Sequence, residues 1–178
     1  APGLVEPQTA VAMEGLALAR GRRLAYASIF TRRGEILHNH DHSVRLAGGE
    51  LIVNDTGANS PIGYASDITR TIPAGGQFGG LQAELYDLVL DAQTQAIAAV
   101  APGVPYREIH ELACRVMVEG MKALGFMRGD AAEAVQAGAH AIFFQCGTGH
   151  MMGLDVHDME GLGEDEVGYG EGHVRSTL

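Results

Sequence analysis

A chain of 178 residues with 46% hydrophobic content is long enough to bury one sizeable core, and its length suits about one domain. A net charge of −10, with Lys122 the one lysine, argues against a nucleic-acid partner, whose affinity would come from cations neutralising phosphates. No apolar run approaches the roughly 18 residues of a membrane span, and Cys114 and Cys146 are too few for a disulfide framework, so a cytoplasmic protein is expected.

In chain order, residues 6–20 read as a helix with Gly21 as its stop. Residues 24–32 and 35–42 alternate enough to be strands around an Arg33-Gly34 turn. A hairpin follows within Val53–Arg70, with Asn59, Ser60, Pro61 and Gly63 supplying its turn. Symmetry about Pro61 would set Asp55 opposite Asp67. Leu81, Leu85, Leu88, Val89, Ala92 and Ala96 mark one face of a helix that Pro102-Gly103 ends. Ile109, Leu112, Ala113, Val116, Met117, Met121 and Leu124 mark a second, with Cys114 on its apolar stripe. Residues 130–138 suit a short helix, and 141–157 is expected to return to strands carrying histidines. The fold class is therefore α/β in the broad sense, more narrowly α+β, with helical stripes packed on a sheet.

The opposed aspartates are the first functional signal. Side chains directly opposite on a hairpin start about 5 Å apart, so two ionised carboxylates there repel unless positive charge lies beside them. A pair of divalent metal ions, roughly 3.5–4 Å apart in hydrolytic sites, meets that need. An ordinary polar turn would also contain Asp, Asn, Ser and Pro. The segment Cys146-Gly-Thr-Gly-His-Met-Met-Gly-Leu-Asp-Val-His-Asp158 adds His150 and His157, imidazoles among glycines that let backbone approach a site closely.

Asp55-Thr-Gly, Gly63-Tyr-Ala-Ser-Asp-Ile-Thr-Arg-Thr-Ile-Pro73 and His150-Met-Met-Gly-Leu-Asp-Val-His-Asp158 together resemble the Xaa-Pro aminopeptidase and prolidase branch of the pita-bread metallopeptidases, over roughly residues 36–160. The resemblance implies a curved, mostly antiparallel sheet with helices on its outer face. It implies Asp55 as a bidentate ligand of one ion, Asp67 as a bridging ligand and His150 as a terminal ligand of the other. His38 and His157 become substrate-binding or transition-state residues. Many relatives have histidine where Cys146 stands, so Cys146 is expected to be a small pocket-wall residue, with His40 at the pocket rim.

The family completes its ligand set with two glutamates, the first in a Glu-Pro-Gly segment that does not occur here. Residues 1–178 are accordingly expected to be an incomplete catalytic domain. The implied chemistry is attack of metal-bound hydroxide on an Xaa-Pro bond at the amino terminus of a peptide. Carboxylate-rich ligation favours Mn²⁺, with Co²⁺ or Zn²⁺ as substitutes. A homo-oligomer, as a dimer, is the implied assembly. The alternatives are an Xaa-Pro dipeptidase and a metal-free pita-bread module that binds peptides or proteins. His38-Asn-His-Asp-His42 offers a competing metal site, because on a strand its three imidazoles share a face. It is one residue short of the His-x-His-x-Asp-His string of metallo-β-lactamase-like hydrolases, and one residue reverses a strand's faces.

Overall fold

The computed structural model describes residue 3 and residues 5–159. They form two compact units. The first comprises the described residues up to Gly80 together with Met151–Met159, and the second, within the described residues, is Leu81–His150.

The first unit holds helix α1 (Glu6–Leu18) and strands β1 (Ile29–Thr31), β2 (Leu51–Thr56) and β3 (Ile68–Pro73), in an antiparallel sheet of order β1-β2-β3. Side chains alternate between the two faces of a strand, and that alternation separates core from site. Phe30 and Ile52 take one face and pack with Ala10, Leu46 and Ala74, with Met13 of α1 against them. Ile29, Asp55 and Thr69 are paired across the sheet and take the other face, as do Thr31, Val53 and Thr71.

Glu6 fixes the start of α1. It is fully buried, and its two carboxylate oxygens accept the backbone N–H groups of Arg32 at 2.7 Å and Val44 at 3.4 Å. One side chain thus ties the helix to the end of β1 and to the segment before Leu46. Buried backbone donors cost about 1–3 kcal/mol each when left unpaired. Glu6→Ala is therefore expected to destabilise the fold by about 2–4 kcal/mol, with Glu6→Gln losing less. A loss under about 0.5 kcal/mol on denaturant unfolding would show that water replaces the carboxylate.

Two predicted strands are absent. Residues 35–42 form turns, because side chains there satisfy the backbone locally: Asn39 Oδ1 accepts from Asp41 N at 3.0 Å, and Asp41 Oδ1 from Ser43 N at 2.9 Å. Of 24–32, only Ile29–Thr31 is strand, with one further bridge between Leu24 and Ala58. Residues 141–157 also fail to form strands. A four-residue 3-10 helix, Ala139–Ile142, is followed by irregular chain whose described hydrogen bonds run mostly to close neighbours.

The second unit comprises α2 (Gly80–Ala99, entered from the first unit at Gly80), α3 (Tyr106–Ala123), α4 (Ala131–Gln136) and the 3-10 turn. The predicted stripes meet there: Ala96 packs with Ile109 and Ala113, and Ala99 and Phe144 lie against them. Gly120 makes close approach necessary, since a Cβ at that position would overlap the Leu88 side chain. Asp130 caps α4 by accepting from Ala132 N at 2.9 Å and Glu133 N at 3.0 Å. Those amides hold its carboxyl below the usual aspartate range. A lowered folded-state pKa stabilises above the unfolded value and is lost as pH falls through the folded one. Amide exchange in α4 is expected to quicken on acidification, and Asp130→Asn, which still caps, should abolish that pH dependence. An unchanged pH dependence in the Asn variant would assign the effect to another group.

Candidate metal centre

The hairpin carries both aspartates, in a register shifted from the predicted one. Asp55 lies opposite Thr69, not Asp67. The turn runs Ser60-Pro61-Ile62-Gly63, closed by Gly63 N donating to Ser60 O at 3.1 Å, and Gly63 takes φ +95°. Glycine absorbs that left-handed position inside the loop, which moves the hairpin axis from Pro61 to Ile62. The resulting slip is two residues. Because the side-chain period is also two, Asp67 stays on the Asp55 face.

A tyrosine joins them. The Tyr26 hydroxyl meets Asp55 Oδ1 in a very short contact and lies 2.8 Å from Asp67 Oδ1. One hydroxyl has one proton, so it satisfies one carboxylate at a time while three oxygens crowd together. Burial pushes the Asp55 carboxyl up, with Asp67's charge adding to the rise while the Tyr26 hydrogen bond opposes it. Burial and both carboxylates push the Tyr26 hydroxyl up as well. The cluster is therefore short of positive charge, as residues that hold a cation should be. These donors are hard oxygens, which suit divalent ions such as Mn²⁺.

Gly57 makes the approach of Tyr26 sterically feasible. A Cβ there would overlap the Ser66 carbonyl oxygen and lie 2.7 Å from Tyr26 Cε1. Backbone bonds from Ala25 N to Gly57 O at 3.0 Å and from Ser66 N to Ala58 O at 3.2 Å hold the two flanks against it.

His38 belongs to a loop on the carboxylate face. Arg33 N and Asn39 Nδ2 both donate to Thr31 Oγ1, at 3.0 and 3.1 Å, and Gly34 lies over Val53. His38 itself adopts φ +51°, uncommon outside glycine. His40 and His42 direct Nδ1 to the carbonyls of Ser28 (3.4 Å) and Phe30 (3.0 Å), so His42 is bound to the β1 backbone and His40 to the residue just before it. The competing three-histidine strand is thus overturned, since residues 38–42 are not extended in a ladder.

His157 is exposed in the segment returning to the first unit. Gly153 O accepts from Ala65 N at 2.7 Å, fixing that segment to the chain just before Asp67, and within the segment Asp158 Oδ2 accepts from Leu154 N at 3.1 Å. Asp55, Asp67, His38 and His157 thus share one unit, while His150 and half-buried Cys146 belong to the other. The sequence reading missed Tyr26. An aromatic residue 29 positions from its partner leaves no periodic signal.

Tyr26→Phe tests whether the hydroxyl positions the carboxylates. Removing a group that orients a metal ligand typically costs 10–100-fold in affinity, so Mn²⁺ is expected to bind about that much more weakly while the fold persists. Unchanged Mn²⁺ affinity by calorimetric titration would make the tyrosine a packing residue only.

With this geometry in place, the chain belongs to metallopeptidase family M24, whose sequence profile matches residues 1–175. Membership implies divalent metal ions. Xaa-Pro aminopeptidase 2 of Streptomyces coelicolor is 39% identical over 140 residues, covering 78% of this chain and 30% of that protein. Proline aminopeptidase P II from Yersinia pestis superposes with a TM-score of 0.88 at 36% identity, covering 94% of this chain and 39% of that one. A zinc-substituted Escherichia coli aminopeptidase P in complex with product gives 0.86 at 35%, covering 92% and 38%. The chain thus spans about a third of the length of these relatives. Its helices and small antiparallel sheet match the expected pita-bread class.

Proposed function

We propose that this chain belongs to an Xaa-Pro aminopeptidase, a metallopeptidase that removes the residue preceding proline from the amino terminus of a peptide. The observation that carries the reading is the convergence of Asp55 and Asp67 on one side of the hairpin, joined through Tyr26, within an M24 family chain. Asp55 and Asp67 would hold two divalent ions, with His150 as a further ligand and Mn²⁺ as the preferred metal. Bound ions of this kind lower the pKa of water towards neutrality and polarise a carbonyl oxygen.

This chain's own residues do the rest. The Tyr26 hydroxyl keeps the two carboxylate oxygens aligned. His157, exposed on its short segment, donates a hydrogen bond to the carbonyl oxygen as negative charge develops there. His38 reaches the substrate from its loop, and Cys146 and His40 line the pocket. An Xaa-Pro bond lacks the amide hydrogen that ordinary peptidases bind, so recognition must rest on the proline ring and the free amino terminus. Cytoplasmic location and dimerisation belong to the same reading, and among the described residues no helix is long and apolar enough to cross a membrane.

Substrate choice separates the aminopeptidase from the dipeptidase. Given Ala-Pro and Ala-Pro-Ala-Ala, the full-length enzyme is expected to cleave the longer peptide at least as well, and to leave Ala-Ala-Ala-Ala intact. Exclusive cleavage of Ala-Pro would establish a dipeptidase, and cleavage of neither would leave a binding module.

A further inference from the structure

A second group of metal-ligating side chains lies wholly within the helical unit. His110 and Cys114 stand one turn apart on α3, with Cys114 Sγ 3.4 Å from His110 Nε2. His140, in the 3-10 turn, packs edge-on against His110 with ring centroids 6.0 Å apart. One ligand atom from each of the three lies within 4.8 Å of the others. Tetrahedral ligands at zinc distances sit about 3.3–3.8 Å from one another, so the His110–Cys114 pair already has the spacing and His140 needs only a small side-chain adjustment.

Three details favour a metal over a simple hydrogen-bonded core. His110 Nδ1 lies 2.8 Å from Thr148 Oγ1, and donation to that oxygen leaves the Nε2 lone pair facing Cys114, the tautomer a ligand requires. His140 Nδ1 is buried and has no hydrogen-bond partner. Cys114, fully buried, directs its sulfur at the His110 ring, a contact that a thiol merely filling apolar space does not need. The donor set of one sulfur and two imidazoles differs in kind from the carboxylate pair of the hairpin.

We propose that His110, Cys114 and His140 form a mononuclear site for a zinc-class ion, separate from the carboxylate centre. On binding, Cys114 Sγ loses its proton to solvent and forms the metal–sulfur bond, while both histidines bind as neutral imidazoles and water fills the fourth position. The ion would clamp α3 to the 3-10 turn and, through Thr148, steady the backbone two residues before His150. Thiolate and imidazole ligation selects zinc over manganese.

The test uses Co²⁺ as a spectroscopic probe in the full-length Asp55→Asn/Asp67→Asn protein, so that failure of the carboxylate reading cannot mask the result. One equivalent of Co²⁺ is expected to give a near-ultraviolet thiolate-to-cobalt charge-transfer band. The band should vanish in Cys114→Ala, persist in Cys146→Ala, and require at least about tenfold more Co²⁺ in His140→Gln, a mild substitution because the His140 side chain is only partly buried. Absence of the band at saturating Co²⁺, or its survival in Cys114→Ala, would overturn the site.

Discussion

Asp67→Asn is expected to cut peptide hydrolysis by well over about 100-fold, since loss of an outer partner alone typically costs 10–100-fold and Asp67, in the proposed centre, would be a direct ligand. The substitution keeps size and hydrogen-bonding capacity but removes one negative charge from the two carboxylates that meet at the Tyr26 hydroxyl. Two consequences can be separated. Metal affinity should fall because the remaining carboxylate attracts a cation less. Metal-free stability should hold or rise, because the repulsion between Asp55 and Asp67 disappears and the Asp55 carboxyl moves back towards its ordinary value. A purely structural Asp67 would show the reverse, with lower metal-free stability and intact hydrolysis. Metal content by atomic emission, denaturant unfolding without metal, and hydrolysis of a proline-second peptide distinguish the two.

Gly57→Ala carries the largest expected effect on the fold. An added Cβ would overlap backbone, the Ser66 carbonyl oxygen, and lie 2.9 Å from its carbon. Backbone cannot rotate away as the end of a long side chain can. Overpacking usually costs about 1–3 kcal/mol, and this case belongs at or beyond the upper end. The Tyr26 ring lies against the same position, so the substitution should also weaken Mn²⁺ binding in whatever fraction stays folded. Gly15→Ala is the control: Gly15 lies in α1 with open space around it, and alanine there should stabilise by about 0.5–1 kcal/mol. Equal, small effects at the two positions would show that the Ser66 and Tyr26 flanks yield easily.

The α3 helix was legible because burial repeats with the helical period, with Ile109, Ala113 and Val116 buried on the predicted stripe; on α2 only Ala92 and Ala96 of the predicted stripe are buried, while Leu81 and Val89 are exposed. The paired aspartates were legible because a hairpin's alternation survives a two-residue slip. The slip itself was not, since Ser60-Pro61-Ile62-Gly63 marks a turn, and Gly63 its left-handed position, without stating which pair of flanking residues will face each other. Alternation misled at His38-Asn-His-Asp-His42, where side-chain bonds to nearby backbone replace a ladder. Tyr26 and the His110–Cys114–His140 group depend on contacts between distant segments. On α3, Cys114 reads in sequence as one more apolar residue, and only its neighbours give it other chemistry.

The central claim is that Asp55 and Asp67 share a metal centre. Crystals of the full-length protein soaked in Mn²⁺ and measured at the manganese absorption edge test it most directly. The expected result is anomalous density within about 2.0–2.5 Å of carboxylate oxygens of both aspartates, in line with metal–oxygen distances generally. A saturated crystal in which the Tyr26 hydroxyl still bridges Asp55 and Asp67, with no anomalous density beside either, would contradict it.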